Sequence, residues 1–215
     1  MKITKYPQSC VMLETKGKKI LVDPGTLCFK EEYIDEWAKA DYILITHKHG
    51  DHCHAEIIKN FDAEIFSTEE VQKAYPQLAI NIVEADLDIL ELKGIEIEVV
   101  AAVHGYIPLF KGGKEVYENV GYIIDDGDKK VYITSDTICF PNNYKADIIC
   151  GCVSGHVCMT EWELSLFAKE AGAELVIPVH MDAPMHPVDI EKVKKTFEEF
   201  GVKYKILANG ETTEI

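Results

Sequence analysis

Residues 43–58 read ILITHKHGDHCHAEII. A β-branched apolar run of strand length stops at His47, and four histidines and Asp51 then fall within eight positions, His47 to His54. The whole chain holds 8 histidines in 215 residues, so half of them sit in this one turn. No other feature restricts the fold as strongly, because a stiff apolar strand must deliver a dense set of metal-ligand side chains to one place. The same punctuation recurs along the chain. "GIEIEVVAAVHG" runs into His104, "KKVYITSD" into Asp136 and "AELVIPVH" into His180. Loops at strand ends, held by a rigid sheet, are where sites are built. Four apolar strands that each finish on a metal-ligand residue type are a stronger signal than any single histidine.

The spacing His47-x-His49-x-Asp51-His52 has its own logic. Alternate residues of an extended or turning backbone can point toward one centre, and Gly50 lets the chain bend tightly there. Lys48, between two candidate ligands, is expected to point away. Imidazole nitrogen and carboxylate oxygen suit Zn²⁺, and also Fe or Mn. This many ligands exceeds the need of one tetrahedral ion with an open position. Two ions, ~3.5–4 Å apart, use them better.

The remaining pattern is strands early and helices following strands late. Residues 9–15 and 18–25 read as a hairpin, 33–40 as a weak helix, and 40–46 as a buried strand. A helix is expected after Asp51, with Ala55, Ile57, Ile58 and Phe61 mostly on one face. Short strands are expected at "AEIFST", "INIVEA" and "DILEL", a longer one at 94–105, and a loop at 106–119. Residues 120–136 form a second hairpin around an Asp-Gly turn, followed by the buried strand "ADIICGCVSG". Thr160 and Glu163 make a capping box for a helix that Gly172 ends. Pro187 opens a last helix with Ile190, Val193, Phe197 and Phe200 inward, and "KYKILA" closes as a strand. With no linker, repeat or low-complexity segment, residues 1–215 read as one α/β unit of sheets covered by helices.

Composition narrows the function. The formal charge of −15 repels nucleic acid from the molecule as a whole. All 22 basic residues are lysines, so the chain has no guanidinium fork for bidentate phosphate binding. No apolar run approaches the ~18–20 residues of a membrane span, and the first residues lack a secretory signal. A soluble cytoplasmic protein is therefore expected. The seven cysteines are an odd count, so thiols are expected instead of a disulfide framework. Cys150-Gly-Cys152 with Cys158 does not have the spacing of C-x₂-C zinc knuckles.

At this point the residues carry a family resemblance. THKHGDH resembles the HxHxDH signature of the metallo-β-lactamase-fold hydrolases. "AAVHG", "YITSDT" and "IPVH" match that family's later motifs in the right order, across roughly the whole chain. The size, "SDT" and the late "IPVH" are most similar to the ascorbate-6-phosphate-lactonase-like branch. The resemblance implies an αββα four-layer sandwich, two mixed β-sheets flanked by helices, with metals at one edge. It implies two divalent ions, Zn²⁺ first with Mn²⁺ or Fe²⁺ as alternatives. His47, His49 and His104 would hold one ion, Asp51, His52 and His180 the other, and Asp136 would bridge. At position 49 this chain has His where the oxygen-reducing diiron relatives have Glu, which favours hydrolysis. The implied mechanism is attack by a bridging hydroxide, since metals lower the pKa of bound water to ~7. Asp51 would accept or relay its proton.

Other residues carry two readings each. Asp23, in "LVDPG", is a contact to a ligating histidine or a turn former. His156 and His186 line the pocket or belong to ordinary loops. His54 lies outside the signature and reads as an ordinary exposed histidine or a neighbour of the ligands. Tyr106, Phe110 and Tyr117 form an apolar lid or merely pack. The expected substrate is a small ester, lactone or phosphorylated metabolite. A phosphodiesterase or nuclease of the same fold is the first alternative, weakened because Lys48, Lys111 and Lys114 are the only nearby lysines. A non-catalytic metal-binding or regulatory protein is the second. A homo-oligomer is a reasonable expectation that no sequence feature decides.

Overall fold

The computed structural model describes residues 1–106 and 115–215. Thirteen strands are present among these residues: β1 (Lys2–Lys5), β2 (Val11–Thr15), β3 (Lys18–Val22), β4 (Tyr42–Leu44), β5 (Glu64–Ser67), β6 (Ile80–Ile82), β7 (Ile89–Leu92), β8 (Ile95–Ala101), β9 (Val120–Asp125), β10 (Lys130–Ile133), β11 (Ile148–Cys152), β12 (Leu175–Val179) and β13 (Thr212–Glu214). Five α-helices accompany them: α1 (Ile34–Trp37), α2 (Ala55–Ile58), α3 (Glu69–Ala74), α4 (Glu161–Ala171) and α5 (Ile190–Glu199), with a 3₁₀ turn at Glu31–Tyr33 leading into α1. One sheet runs β13-β1-β2-β3-β4-β5-β6 and the other β12-β11-β10-β9-β8-β7. Both are mixed. Pairing is antiparallel from β13 to β3 and parallel from β3 to β6, and it is parallel for β10-β11-β12 but antiparallel for β7-β8-β9-β10.

The strand period of two, with both faces buried, builds the layers. Tyr42 and Leu44 join a core between the sheets, together with Tyr122, Ile124, Ile148 and Cys150. Their neighbour Ile43 faces outward into a cluster closed by Trp37, Ala55, Ile58 and Val71 from the helices of that side. Ile123 and Ile149 face the other way, into a cluster with Leu164, Phe167, Val193 and Phe197 from α4 and α5. The result is helix, sheet, sheet, helix: the expected αββα sandwich. Helix α4 begins with the predicted capping box, in which the Thr160 hydroxyl accepts from Glu163 N and the Glu163 carboxylate accepts from Thr160 N. It ends at Gly172, φ 77°.

Three local expectations change. Residues 203–208 do not form a strand; only Tyr204 makes a bridge, to Val176, and the closing strand is β13. Helix α5 begins at Ile190, not Pro187, because the Asp189 carboxylate accepts from the amides of Glu191 and Lys192 and so caps it. Ile190 is then in the first, open turn and is exposed instead of inward. Cys152 and Cys158 are bonded, against the expectation of thiols throughout. The chain leaving β11 doubles back, which brings their Cα atoms to 6.1 Å, within disulfide reach. Cys10, Cys28, Cys53, Cys139 and Cys150 stay free. No helix among the described residues is long and apolar enough to cross a membrane.

Candidate metal centre

The carboxyl ends of parallel strands open at one edge of the sandwich, the usual place for a site in such sheets. Asp23 directly follows β3, and the chain beyond β4 leads into the 47–52 turn. Asp136 follows β10 by three residues and His180 follows β12 directly. His104 comes three residues after β8. A glycine makes the turn fit. A Cβ on Gly25 would overlap the Asp51 backbone, because the segments 23–26 and 49–54 lie against each other. His54 N donates to Pro24 O at 2.6 Å and Thr26 N to Gly50 O at 2.8 Å. Asp23, Ser135 and His180 take positive φ of 49°, 61° and 62° without being glycine. Such strain persists where the surroundings over-determine it, and it clusters at functional sites.

These elements bring all seven candidate ligands together. One ligand atom each from His47, His49 and His104 lies within 4.8 Å of the others, and the same holds for Asp51, His52 and His180. His47, His52 and Asp136 form a third such group, joining the first two. Asp136 Oδ2 stands 3.4 Å from His52 Nε2 and 3.2 Å from His180 Nε2. His180 Nε2 is also 3.3 Å from Asp51 Oδ2. Beneath them, Asp23 is wholly buried. It accepts from Thr46 N at 2.8 Å, from Thr46 Oγ1 at 2.8 Å and from His52 Nδ1 at 2.7 Å. A carboxylate only accepts, so the His52 proton sits on Nδ1 and Nε2 is turned toward the centre. Of the two readings of Asp23, the geometry shows the contact to His52.

The electrostatics suit a cation. Burial and the neighbouring His52, His104, His49 and His180 push His47 well below the ordinary imidazole range. Burial opposes the charge on His52, yet Asp136, Asp23 and Asp51 outweigh it and lift its pKa well above the usual value. His180 rises too: burial opposes its charge, but Asp136 and Asp51 prevail. Asp136 is held down to about 2, where His180 and His52 overcome the cost of burial. Asp51 is lowered further, with His52 and His180 again outweighing burial. The carboxylates thus draw positive charge onto the site. His52 Nε2, His104 Nε2, Asp136 Oδ1 and His180 Nδ1 are buried with no hydrogen-bond partner among the described residues. Each such atom costs about 1–3 kcal/mol. Nitrogen and carboxylate donors grouped this way fit divalent metal ions.

A cavity of about 1020 Å³ opens onto His49, Asp51, His104, Asp136 and His180. Its walls include Tyr106, Tyr117, Ser154, His156, Val157, Met185 and His186. His156 and His186 pack ring against ring, centroids 4.4 Å apart. Lys48 borders the cavity, and its ammonium is held by Glu70 at 2.8 Å instead of by any candidate ligand, as its place between two of them implied. The Glu70 carboxylate also accepts from the Tyr117 and Glu118 amides. His54 stays outside the centre and packs edge-on against Phe29. Phe110, Lys111 and Lys114 lie outside the described residues. Sequence reasoning missed Thr46, which joins Asp23 to the histidines, and Asn119, which holds the Asp136 carbonyl at 3.0 Å. It weighed Cys152 and set it aside. That residue ends an apolar strand just as His47 and His180 close theirs, and in the structure it is bonded to Cys158.

Fold and site together define a protein of the β-lactamase superfamily. The sequence profile of the "Beta-lactamase superfamily domain" matches residues 2–180, and the chain belongs to that family. Full-length relatives are named UPF0173 metal-dependent hydrolase: one from Nanoarchaeum equitans is 25% identical and one from Christiangramia forsetii 28%, with 100% of each chain covered in both cases. Among solved structures, Igni18, a metallo hydrolase from Ignicoccus hospitalis, superposes with a TM-score of 0.82 at 25% identity, covering 100% of this chain and 98% of that one.

Proposed function

We propose that this metal-dependent hydrolase works through a dinuclear centre on a small ester, lactone or phosphorylated metabolite. The observation that carries the reading is the pair of adjacent three-residue groups, His47/His49/His104 and Asp51/His52/His180, with Asp136 between them and one cavity over both. Those residues would hold the ions and Asp136 would bridge. Two bound divalent cations supply a nucleophilic water at neutral pH and an electrophile for the substrate oxygen. Zn²⁺ suits the nitrogen-rich set best, with Mn²⁺ and Fe²⁺ as competitors.

The chain's own groups do the rest. Asp23 keeps the His52 ring in one orientation through its 2.7 Å contact. Asp51, which borders the cavity, would accept or relay a proton from the attacking water. The cavity has the size of a small-molecule site and sets apolar walls such as Leu27, Val157 and Met185 beside the candidate ligands. His156, His186 and Ser154 would contact the part of the substrate away from the centre.

Elemental analysis beside a hydrolysis panel tests the reading. About two metal ions per chain, fewer in His104→Ala, and turnover of lactones, esters or phosphorylated metabolites would support it. Preferential cleavage of phosphodiesters or nucleic acid would move the substrate class. Full metal loading with no hydrolysis of any class would favour a binding or regulatory protein. One ion per chain at saturation would refute the dinuclear part.

A further inference from the structure

Three neighbouring parallel strands end side by side at the edge that carries the site. Strand β10 leads to Asp136, β11 ends on Cys152, and β12 leads to His180. The register sets Cys152 beside Val179, one residue before His180. The chain then returns through a short loop that brings Cys158 back over the strand end, with Ser154 Oγ 3.0 Å from Cys158 Sγ. One ligand atom from each of Asp136, Cys152, Cys158 and His180 lies within 4.8 Å of all the others, and all four residues are buried. Asp136 Oδ1 and His180 Nδ1 are both without a hydrogen-bond partner among the described residues. Two sulfurs, a carboxylate and an imidazole form a donor set for thiophilic divalent cations, different in kind from the all-nitrogen-and-oxygen groups beside it. In the structure the two sulfurs are joined to each other.

We propose that reduction of the Cys152–Cys158 disulfide opens a sulfur-bearing metal site that shares Asp136 and His180 with the histidine-rich centre. The step is thiol–disulfide exchange. A small thiol attacks one sulfur and forms a mixed disulfide. A second thiol displaces the protein sulfur, and the two small thiols leave as their own disulfide. The protein gains two electrons and two protons, as two thiols. When a divalent cation binds, both protons pass to the solvent and two sulfur–metal bonds form. In the oxidised state Asp136 and His180 serve the histidine-rich centre alone. In the reduced state two sulfurs compete for the same cation. The sharing of Asp136 and His180 rests on the metal centre proposed above, whereas the sulfur-bearing site needs no hydrolytic activity and is read out separately.

The test uses the full chain, stripped of metal by a chelator, in two forms. One is oxidised with a small disulfide. The other is reduced with a phosphine that is then removed. Thiol titration of the unfolded protein should count five groups in the first form and seven in the second. Cd²⁺ alone is then titrated into each folded form while the ultraviolet sulfur-to-cadmium charge-transfer band is followed. The band should grow to saturation in the reduced form. It should be lost in the oxidised form and in Cys152→Ser/Cys158→Ser, and weakened in His180→Ala. A reduced protein that binds Cd²⁺ without the band overturns the proposal. So does a band that persists in the double variant, or one untouched by His180→Ala. Should the double variant fail to fold, the oxidised wild type is a folded control lacking the same two sulfur donors.

Discussion

Replacing Asp23 by Asn separates support of the centre from support of the fold. Asp23 is wholly buried and its two oxygens take three hydrogen bonds, at 2.7–2.8 Å, from Thr46 N, Thr46 Oγ1 and His52 Nδ1. An asparagine keeps the volume and one accepting oxygen, which can still hold Thr46 N. Its amide nitrogen, however, faces His52 Nδ1 as a donor. Two donors cannot face each other, so His52 must move its proton to Nε2. That is the atom 3.4 Å from Asp136 Oδ2, on the side of the centre. The nitrogen meant for a cation then carries hydrogen. Loss of one charge-assisted bond should cost the metal-free protein about 1.5–3 kcal/mol. Metal affinity at the Asp51/His52/His180 group should fall about 10–100-fold. The assay is competition of each ion against a chromophoric chelator, with urea unfolding of the same preparations. One ion should weaken while the ion at His47/His49/His104 keeps its affinity. Wild-type affinity for both ions would refute the argument that Asp23 sets the His52 tautomer. Equal weakening of both would refute its locality.

Two further outcomes are expected. Gly25→Ala sets a methyl into the Asp51 backbone and should destabilise the chain by more than about 3 kcal/mol in urea unfolding; a change within about 0.5 kcal/mol would refute the close approach. Asp41, Asp125 and Asp126 are held below the ordinary carboxylate range, where burial is outweighed by Lys18 at Asp41, by the Gly127 amide at Asp125 and by the Thr15 hydroxyl at Asp126. They bind protons more weakly folded than unfolded. Their stabilisation is therefore complete above about pH 4 and is lost as the pH falls through their folded values. Unfolding of the metal-free protein measured from pH 6 to pH 3 should show stability dropping at the acid end, and a flat profile would contradict the assignment.

Local chemistry made much of the fold readable. The Thr160/Glu163 box, Gly172 and the turn at Asp126–Gly127 each satisfy backbone groups within a few residues, so a short window of sequence suffices. Strands β1 and β13 were not readable. Lys2 pairs with Glu214, and "TTE" has no pattern of its own; it is a strand only because β1 offers an open edge. Tyr204 shows the reverse case. "KYKILA" has strand composition, but beside Val176 it makes a single bridge. In the same way Ile190 fits an inward helical position until the Asp189 cap places it in the first turn.

For the centre, the sequence by itself determined which side chains are candidates. An apolar strand must stop where its residues turn polar, and a strand ending on His or Asp carries that residue to a sheet edge. His47, His104, Asp136 and His180 follow from that rule, and His49, Asp51 and His52 from the spacing of the turn that His47 opens. What only the tertiary structure decided is which strand ends are neighbours. Parallel order β10-β11-β12 sets Cys152 between Asp136 and His180, and packing of 23–26 against 49–54 puts Asp23 beneath His52. The Glu70 contact fixes the Lys48 ammonium from a helix 22 residues further along the chain. These outcomes depend on contacts between segments far apart in the chain. Such contacts are set by burial of the two sheets against each other, and no local window contains that information.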